Sequence, residues 1–257
     1  MIFRFLQIPE LTNRKLDDPQ TTLIRSQILK KKLFLKNTYK DFYIQFKKSL
    51  GSDYKKKKLI ELGSGGGFIK EIIPNTITSD IMKLPTVDMS FSATRIPFKN
   101  ESVDAYFMID VLHHIPKVEL FFKEAERTLK IGGKIILIEP ANTAWGGFIY
   151  KNFHHEPFSP HGTWKFKTTG PLSGANAAIP WILFFRDRKK FLKKFPSLQI
   201  NYVKTHTPLR YLISGGFTLR QLLPSFLYPF ILGIEKILSP FNQFIGMFYT
   251  IEIQKIS

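Results

Sequence analysis

Three groups of residues in this 257-residue chain have the types and spacing to do chemistry. The first is Glu61-Leu62-Gly63-Ser64-Gly65-Gly66-Gly67, which ends the short apolar run Lys58 to Leu62. Glycines there let the backbone turn tightly and approach a ligand closely. The second is Asp80, 17 residues after Gly63, at the end of the run Thr76-Ile-Thr-Ser-Asp80. An acid in that place can accept hydrogen bonds from both hydroxyls of a ribose. The third is made of His113-His114 and His154-His155-Glu156. Imidazoles and carboxylates are the side chains that exchange protons near neutral pH.

These residues need elements to hold them. Residues 20 to 50 read as helical, with Leu23, Ile24, Ile28, Leu33, Phe34, Phe42 and Phe46 at roughly helical spacing. Lys58 to Leu62 is a strand that runs into the glycines, and Phe68 to Ile73 is predicted as a helix closed by Pro74. That helix would offer the free N–H groups of its first turn to an anionic group. Thr76 to Asp80 is a second strand, Val87 to Phe91 a weak third and Val103 to Ile109 a fourth. Val118 to Leu129 is a helix with Gly132-Gly133 as its C-cap, and Lys134 to Glu139 is a fifth strand ended by Pro140. Strands at Ser197 to Thr207 and Met247 to Ile253 follow a loop-rich region at 141–180. Alternation of strand and helix over 57–140 predicts a parallel sheet with functional loops at the carboxyl ends of its strands.

The glycine loop fits two common nucleotide motifs poorly. The dinucleotide fingerprint wants Gly or Ala where Phe68 stands, and no Gly-Lys-Ser/Thr follows for a phosphate-binding P-loop. Further along come Ala93-Thr-Arg-Ile-Pro-Phe98, Ser102-Val-Asp104, Val111-Leu-His-His114 and Leu129-Lys-Ile-Gly-Gly133.

With these segments in this order, residues 57–140 resemble the class I S-adenosylmethionine (SAM)-dependent methyltransferases, specifically the type 11, UbiE/COQ5-like family. The resemblance implies an α/β fold: a Rossmann-like, mostly parallel sheet of seven strands with an antiparallel last strand and helices on both faces. It implies an N-terminal helical extension at 1–52 and a SAM-binding domain at 53–257. Insertions would follow the fifth and sixth strands, at about 141–197 and 211–243. The implied activity is methyl transfer from SAM to a small-molecule, glycan or lipid-linked acceptor.

Site roles carry over by position. Gly63, Ser64, Gly65 and Gly67 would pass under the methionine part of the cofactor, with Glu61 reaching its amino group and Asp80 holding the ribose. The family usually has Asp just before the Ala of the third motif. Here Ser92 precedes Ala93, so the adenine contact would fall to an uncharged hydroxyl or to the Ala93 backbone. Asp110 and Val111 would flank the sulfonium. His113 and His114 are either a general base or a structural cap. The structural role is preferred, because the motif accompanies many unrelated acceptors in the family. His154, His155 and Glu156 are either an acceptor-pocket wall or base, or a plain surface loop. No metal is assigned to them, since adjacent histidines rarely point the same way.

Composition narrows the alternatives. The chain has no cysteine, which excludes disulfides, a cysteine nucleophile and iron–sulfur chemistry on SAM. Its net charge of +18 suits an anionic membrane surface or a nucleic acid, or is simply solvated lysine. Nucleic-acid methylation is the weaker reading, because Ile109-Asp-Val-Leu-His-His replaces the Asn/Asp-Pro-Pro-Tyr/Phe run of base amino-group methylation. A non-catalytic membrane-surface or partner-binding module on the same fold is a third reading. Met1 to Glu10 is interrupted by Arg4 and Pro9 and does not read as a signal peptide, so the expectation is a cytoplasmic protein. The apolar run Phe226 to Ile234 is too short to span a bilayer but could lie on one or cap the core.

Overall fold

The computed structural model describes residues 6–12, 14–168 and 170–257. Residues 1–5 of the segment considered for a signal peptide lie outside them. Two helices come first, α1 (Pro19–Lys31) and α2 (Leu33–Leu50). The strands are β1 (Leu59–Leu62), β2 (Thr76–Asp80), β3 (Met89–Ser90), β4 (Val103–Ile109), β5 (Leu129–Pro140), β6 (Leu198–His206) and β7 (Phe248–Lys255). They form one sheet in the order β3-β2-β1-β4-β5-β7-β6. β7 pairs antiparallel with both β5 and β6, and all the other pairings are parallel. This is the expected Rossmann-like sheet with an antiparallel last strand.

Alternation along the buried strands splits the core in two. Ile60, Tyr106, Met108, Ile135 and Leu137 face α3 (Val118–Thr128) and an aromatic cluster of Phe121, Phe122, Phe184, Phe191 and Phe195. Leu59, Ala105, Phe107, Ile136 and Ile138 face the other way, onto Leu35, Phe42, Tyr43 and Phe46 of α2. Phe46 stacks on Phe107 with ring centroids 4.9 Å apart. The N-terminal helices therefore cover much of one face of the sheet.

Two expectations fail here. The helix predicted at Phe68–Ile73 is a single 3-10 turn, Ile69–Glu71. The segment between the glycines and Pro74 is too short to nucleate a stable helix, and α2 already covers that face. Among the described residues, no α-helix directly follows the glycine loop. Second, α3 ends at Thr128 and its C-cap Leu129 is already extended, so Gly132-Gly133 do not cap it. Gly132, at φ +82°, lies instead in an irregular stretch of β5, where pairing with β4 jumps from Leu129 to Lys134.

The chain after β5 builds the region above the strand ends. α4 (Ala144–Phe153) starts with the Thr143 side chain capping Gly146 N–H at 2.8 Å. α5 (Ile179–Trp181) runs into a π turn, Ile182–Arg186, and α6 (Arg188–Lys194) leads into β6. Between β6 and β7 lie α7 (Arg210–Ser214), α8 (Tyr228–Ile237) and α9 (Asn242–Ile245). Buried Arg210 ties this segment down: it pairs with Glu235 Oε2 at 2.6 Å and with Asp41 of α2.

Replacing Phe46 with Ala should cost about 3–5 kcal/mol of unfolding free energy, because the side chain is wholly buried between α2 and the sheet. Urea denaturation measures it. A loss below about 1 kcal/mol would show that α2 is docked on the sheet only loosely.

Candidate functional site

The strand order reverses between β1 and β4, and in open α/β sheets such a switch point opens a crevice at the carboxyl ends of the strands. A cavity of about 1160 Å³ occupies it. Every residue assigned from the sequence to cofactor or acceptor lines this cavity: Glu61 to Gly67, Asp80, Ser92, Ala93, Asp110, Val111, His113, His114 and His154 to Glu156. His161 and Trp164, which lie near them in sequence, do not line it; Trp164 is buried and donates to Asp187 Oδ2 at 2.7 Å.

The glycine loop is held from three sides. Ser64 N–H donates to Ser79 O at 2.8 Å, Gly65 N–H to Asp80 Oδ2 at 3.0 Å, and Thr86 Oγ1–H to Gly65 O at 2.8 Å. Gly63 has φ +66°, and a Cβ there would sit 2.5 Å from Val111 Cγ2, so the loops after β1 and β4 touch at a point only glycine allows. A Cβ at Gly66 would fall 2.7 Å from the Ser26 Cα of α1, and Ser26 Oγ donates to Gly66 O at 2.8 Å. α1 thus stands where a post-loop helix was expected, and it brings Thr22, Arg25 and Ser26 to the cavity wall.

Two carboxylates flank the loop. Glu61 is buried, and its Oε2 has no hydrogen-bond partner. Burial pushes its pKa up to about 7, against hydrogen bonds from Ser64 and Tyr43. Burial also raises Asp80, while backbone N–H groups of Met82, Gly65 and Ile81 oppose that. Ser92 turns its hydroxyl to Thr94, 2.8 Å from Thr94 Oγ1.

A second centre sits at the ends of β4 and β5. Asp110 holds φ +56°, a conformation uncommon outside glycine, and the chain then enters the 3-10 turn Leu112–His114. Glu139, buried in β5, fixes this turn. Its Oε1 accepts from Val111 N–H at 2.8 Å and Leu112 N–H at 2.6 Å, and its Oε2 lies 2.6 Å from His113 Nδ1. His113 Nε2 is 3.1 Å from Glu156 Oε2, and His114 Nε2 is 3.4 Å from Glu156 Oε1. His155 and His154 approach the same carboxylate at 3.6 and 3.8 Å. The structure thus brings both histidine pairs together on Glu156. Adjacent histidines do point the same way here: the His113 and His114 rings are 4.4 Å apart. The segment Gly170–Asn176 is pinned down by Asn176 N–H to His113 O at 3.0 Å and Leu172 N–H to Asp17 Oδ1 at 2.6 Å.

Charge follows from this packing. Burial opposes it, but Glu139 and Glu156 hold the His113 pKa well above its ordinary value. Asp110 is pushed up to about 8, mainly by burial, with His113 opposing. Glu156 stays well below the usual carboxylate range despite burial, because His113 and His114 hydrogen-bond to it. Burial drives His154 down to about 4.

Sequence reasoning missed Glu139 and four residues of the cavity wall, Arg25, Tyr39, Tyr43 and Tyr211. The buried face of α1 carries Thr21, Thr22 and Ser26, and such a polar inner face was the one legible sign that this helix meets something other than core. Glu139 looked like an ordinary strand end.

A family model described as a methyltransferase domain, type 11, matches residues 60–137. That stretch, from β1 into β5, is similar to the methyltransferase domain of that family. No curated protein sequence matches the chain at a significant level. Among solved structures, a phosphoethanolamine N-methyltransferase 2 of Haemonchus contortus, in complex with S-adenosyl-L-methionine, superposes with a TM-score of 0.50 and 12% identity. The match covers 96% of this chain and 59% of that one. A geranyl diphosphate C-methyltransferase of Streptomyces coelicolor A3(2) gives 0.45 and 11%, covering 98% and 89%. A SAM-dependent methyltransferase of Thermotoga maritima gives 0.47 and 15%, covering 83% and 87%. At these identities the likeness is one of fold.

Glu139→Ala should destabilise the fold by about 3 kcal/mol, because two N–H groups and His113 lose a wholly buried partner. Urea unfolding reads the loss, and a value within error of wild type would show that the turn holds itself.

Proposed function

We propose that this chain is a SAM-dependent methyltransferase for a small-molecule, glycan or lipid-linked acceptor. The observation that carries this is the buried, unpartnered Glu61 Oε2 beside the glycine loop, with Asp80 at the end of the neighbouring strand. A carboxylate oxygen without a donor suits the ammonium of a methionine moiety, and an acid at the end of β2 suits a ribose diol. Arg25 adds a cation whose buried Nε lacks a partner, fit for the carboxylate of the same moiety. Ser92 and the Ala93 backbone are left for the adenine side, and Asp110 and Val111 for the sulfonium side.

Bound SAM would supply an electrophilic methyl group on a sulfonium. The residues of this chain align a nucleophile with it and keep water away. Glu139 locks the Val111–His114 turn at the edge where the acceptor must sit, and Glu156 with its histidines can take or hold the acceptor's proton. Within this reading residues 1–52 extend a methyltransferase domain spanning 53–257. The insertions at about 141–197 and 211–243 build the acceptor pocket.

A lipid-linked acceptor is favoured by the rim. Phe148, Phe153 and Leu222 line the cavity yet are about half exposed. Past Leu222, α8 buries Tyr228 and Ile231 but leaves Phe230 and Ile237 largely exposed, as are Phe226 just before it and Phe241 and Phe244 just after it. No helix among the described residues is long and apolar enough to cross a membrane. An apolar outer side on a chain of net charge +18 fits contact with an anionic membrane surface.

Calorimetry tests the cofactor. SAM should bind the wild type, and a bulky residue at Gly65, where φ is +51°, should abolish binding. Because Glu61 titrates near 7, its ionised fraction falls as the pH drops. Affinity should therefore weaken by up to about tenfold from pH 8 to pH 6, and Glu61→Gln should bind weakly with this dependence gone. Tight binding by the Gly65 variant would sink the cofactor assignment. For the acceptor, labelled SAM with cell extract should place label in the lipid, glycan or small-molecule fraction; label confined to nucleic acid would overturn that class.

A further inference from the structure

We propose that His113, His114 and Glu156 form a binding site for a borderline divalent metal ion of the Zn2+ class, opening onto the acceptor side of the cavity. The ligand atoms of these three residues lie within 4.8 Å of one another. The two Nε2-to-carboxylate separations, 3.1 and 3.4 Å, match those between ligand atoms of a tetrahedral ion bound at about 2.0–2.2 Å.

Hydrogen bonding to the opposite ring nitrogens carries the argument further. His113 Nδ1 faces Glu139 Oε2 at 2.6 Å, and His114 Nδ1 faces the carbonyl of Gly174 at 3.1 Å. Both partners can only accept, so each neutral imidazole keeps its proton on Nδ1. Both Nε2 lone pairs then aim at the oxygens of Glu156. Two lone pairs and a carboxylate converging in a buried place repel unless a cation lies between them. That cation is either extra protons or a metal ion. A carboxylate behind a histidine is the arrangement that orients metal-bound imidazole and raises its basicity, and Glu139 occupies that place. Glu139 is itself fixed by two backbone N–H groups, so the ligand geometry does not depend on the ion.

Three protein ligands leave a position free, as at catalytic rather than structural sites. All three ligand residues line the cavity, so an acceptor hydroxyl there could reach the ion and would lose its proton more easily on it. This last role rests on the methyltransferase reading; the site itself does not.

The test is titration of chelator-treated full chain with Co2+ alone, followed by visible absorption, then displacement by Zn2+. The expected result is saturation near about one ion per chain, with Zn2+ raising Tm. His114→Ala and Glu156→Gln should each weaken Co2+ binding by at least about 100-fold, and Glu139→Gln by about 10–100-fold, since it only positions His113. Circular dichroism confirms that each variant is folded; if one is not, the Zn2+-induced rise in Tm of the wild type decides. Absence of saturable Co2+ binding, or binding untouched by both ligand variants, overturns the site and leves protons as the cation. SAM binding by the metal-free chain is measured separately. SAM binding without Co2+ binding removes the metal site and keeps the function. Co2+ binding without SAM binding supports the site and removes its role on an acceptor.

Discussion

The buried carboxylate of Glu139 is the interaction on which the rest of the site depends. It sits at the end of β5 and satisfies three donors from the chain after β4: two backbone N–H groups and, through its other oxygen, His113. Unpaired, a carboxylate in that position would be prohibitively costly, and the turn would leave buried N–H groups without acceptors. Paired, it fixes where Asp110, Val111, His113 and His114 stand. Through Val111 it also bears on the glycine loop, because Gly63 packs against the Val111 side chain.

The N-terminal helices are a second condition of the site. In place of a long helix after β1 the chain has one 3-10 turn, and α1 and α2 take over the face left bare. α2 does so with aromatic rings packed into the sheet. α1 does so with small polar side chains against the glycine loop, where Ser26 leaves room for no side chain at Gly66. The same helix delivers Arg25. Core packing and one wall of the cavity are therefore built by one segment.

Charge is distributed unevenly. The chain carries 38 basic and 20 acidic residues, yet its cavity is lined by Glu61, Asp80, Asp110 and Glu156, with Arg25 and Lys117 as the opposing cations. Burial raises three of the acids, Glu61, Asp80 and Asp110, whereas Glu156 is held low despite burial by hydrogen bonds from His113 and His114. A cavity of this kind favours cationic groups at two separate points: beside the unpartnered oxygen of Glu61, and at the convergence on Glu156. The basic exterior and the exposed apolar side of α8 are a separate feature, turned toward the surroundings of the molecule.

Local pattern determined the sheet. β2 and β4 match their sequence-read limits, since short apolar runs bounded by turn residues have few other solutions. The glycine loop, Asp80 and the His113-His114 turn were legible for the same reason: their spacing along one βαβ-like stretch fixes them at one edge. Tertiary structure decided what local pattern could not. Whether Phe68–Ile73 is a helix depended on α2 competing for the same face. The meeting of His154–Glu156 with His113-His114, some 40 residues apart, depended on how the chain after β5 folds back. The role of Glu139 depended on burial and on donors from another strand. A sequence specifies such contacts only through the whole fold, because their energy comes from desolvation and partners distant in the chain.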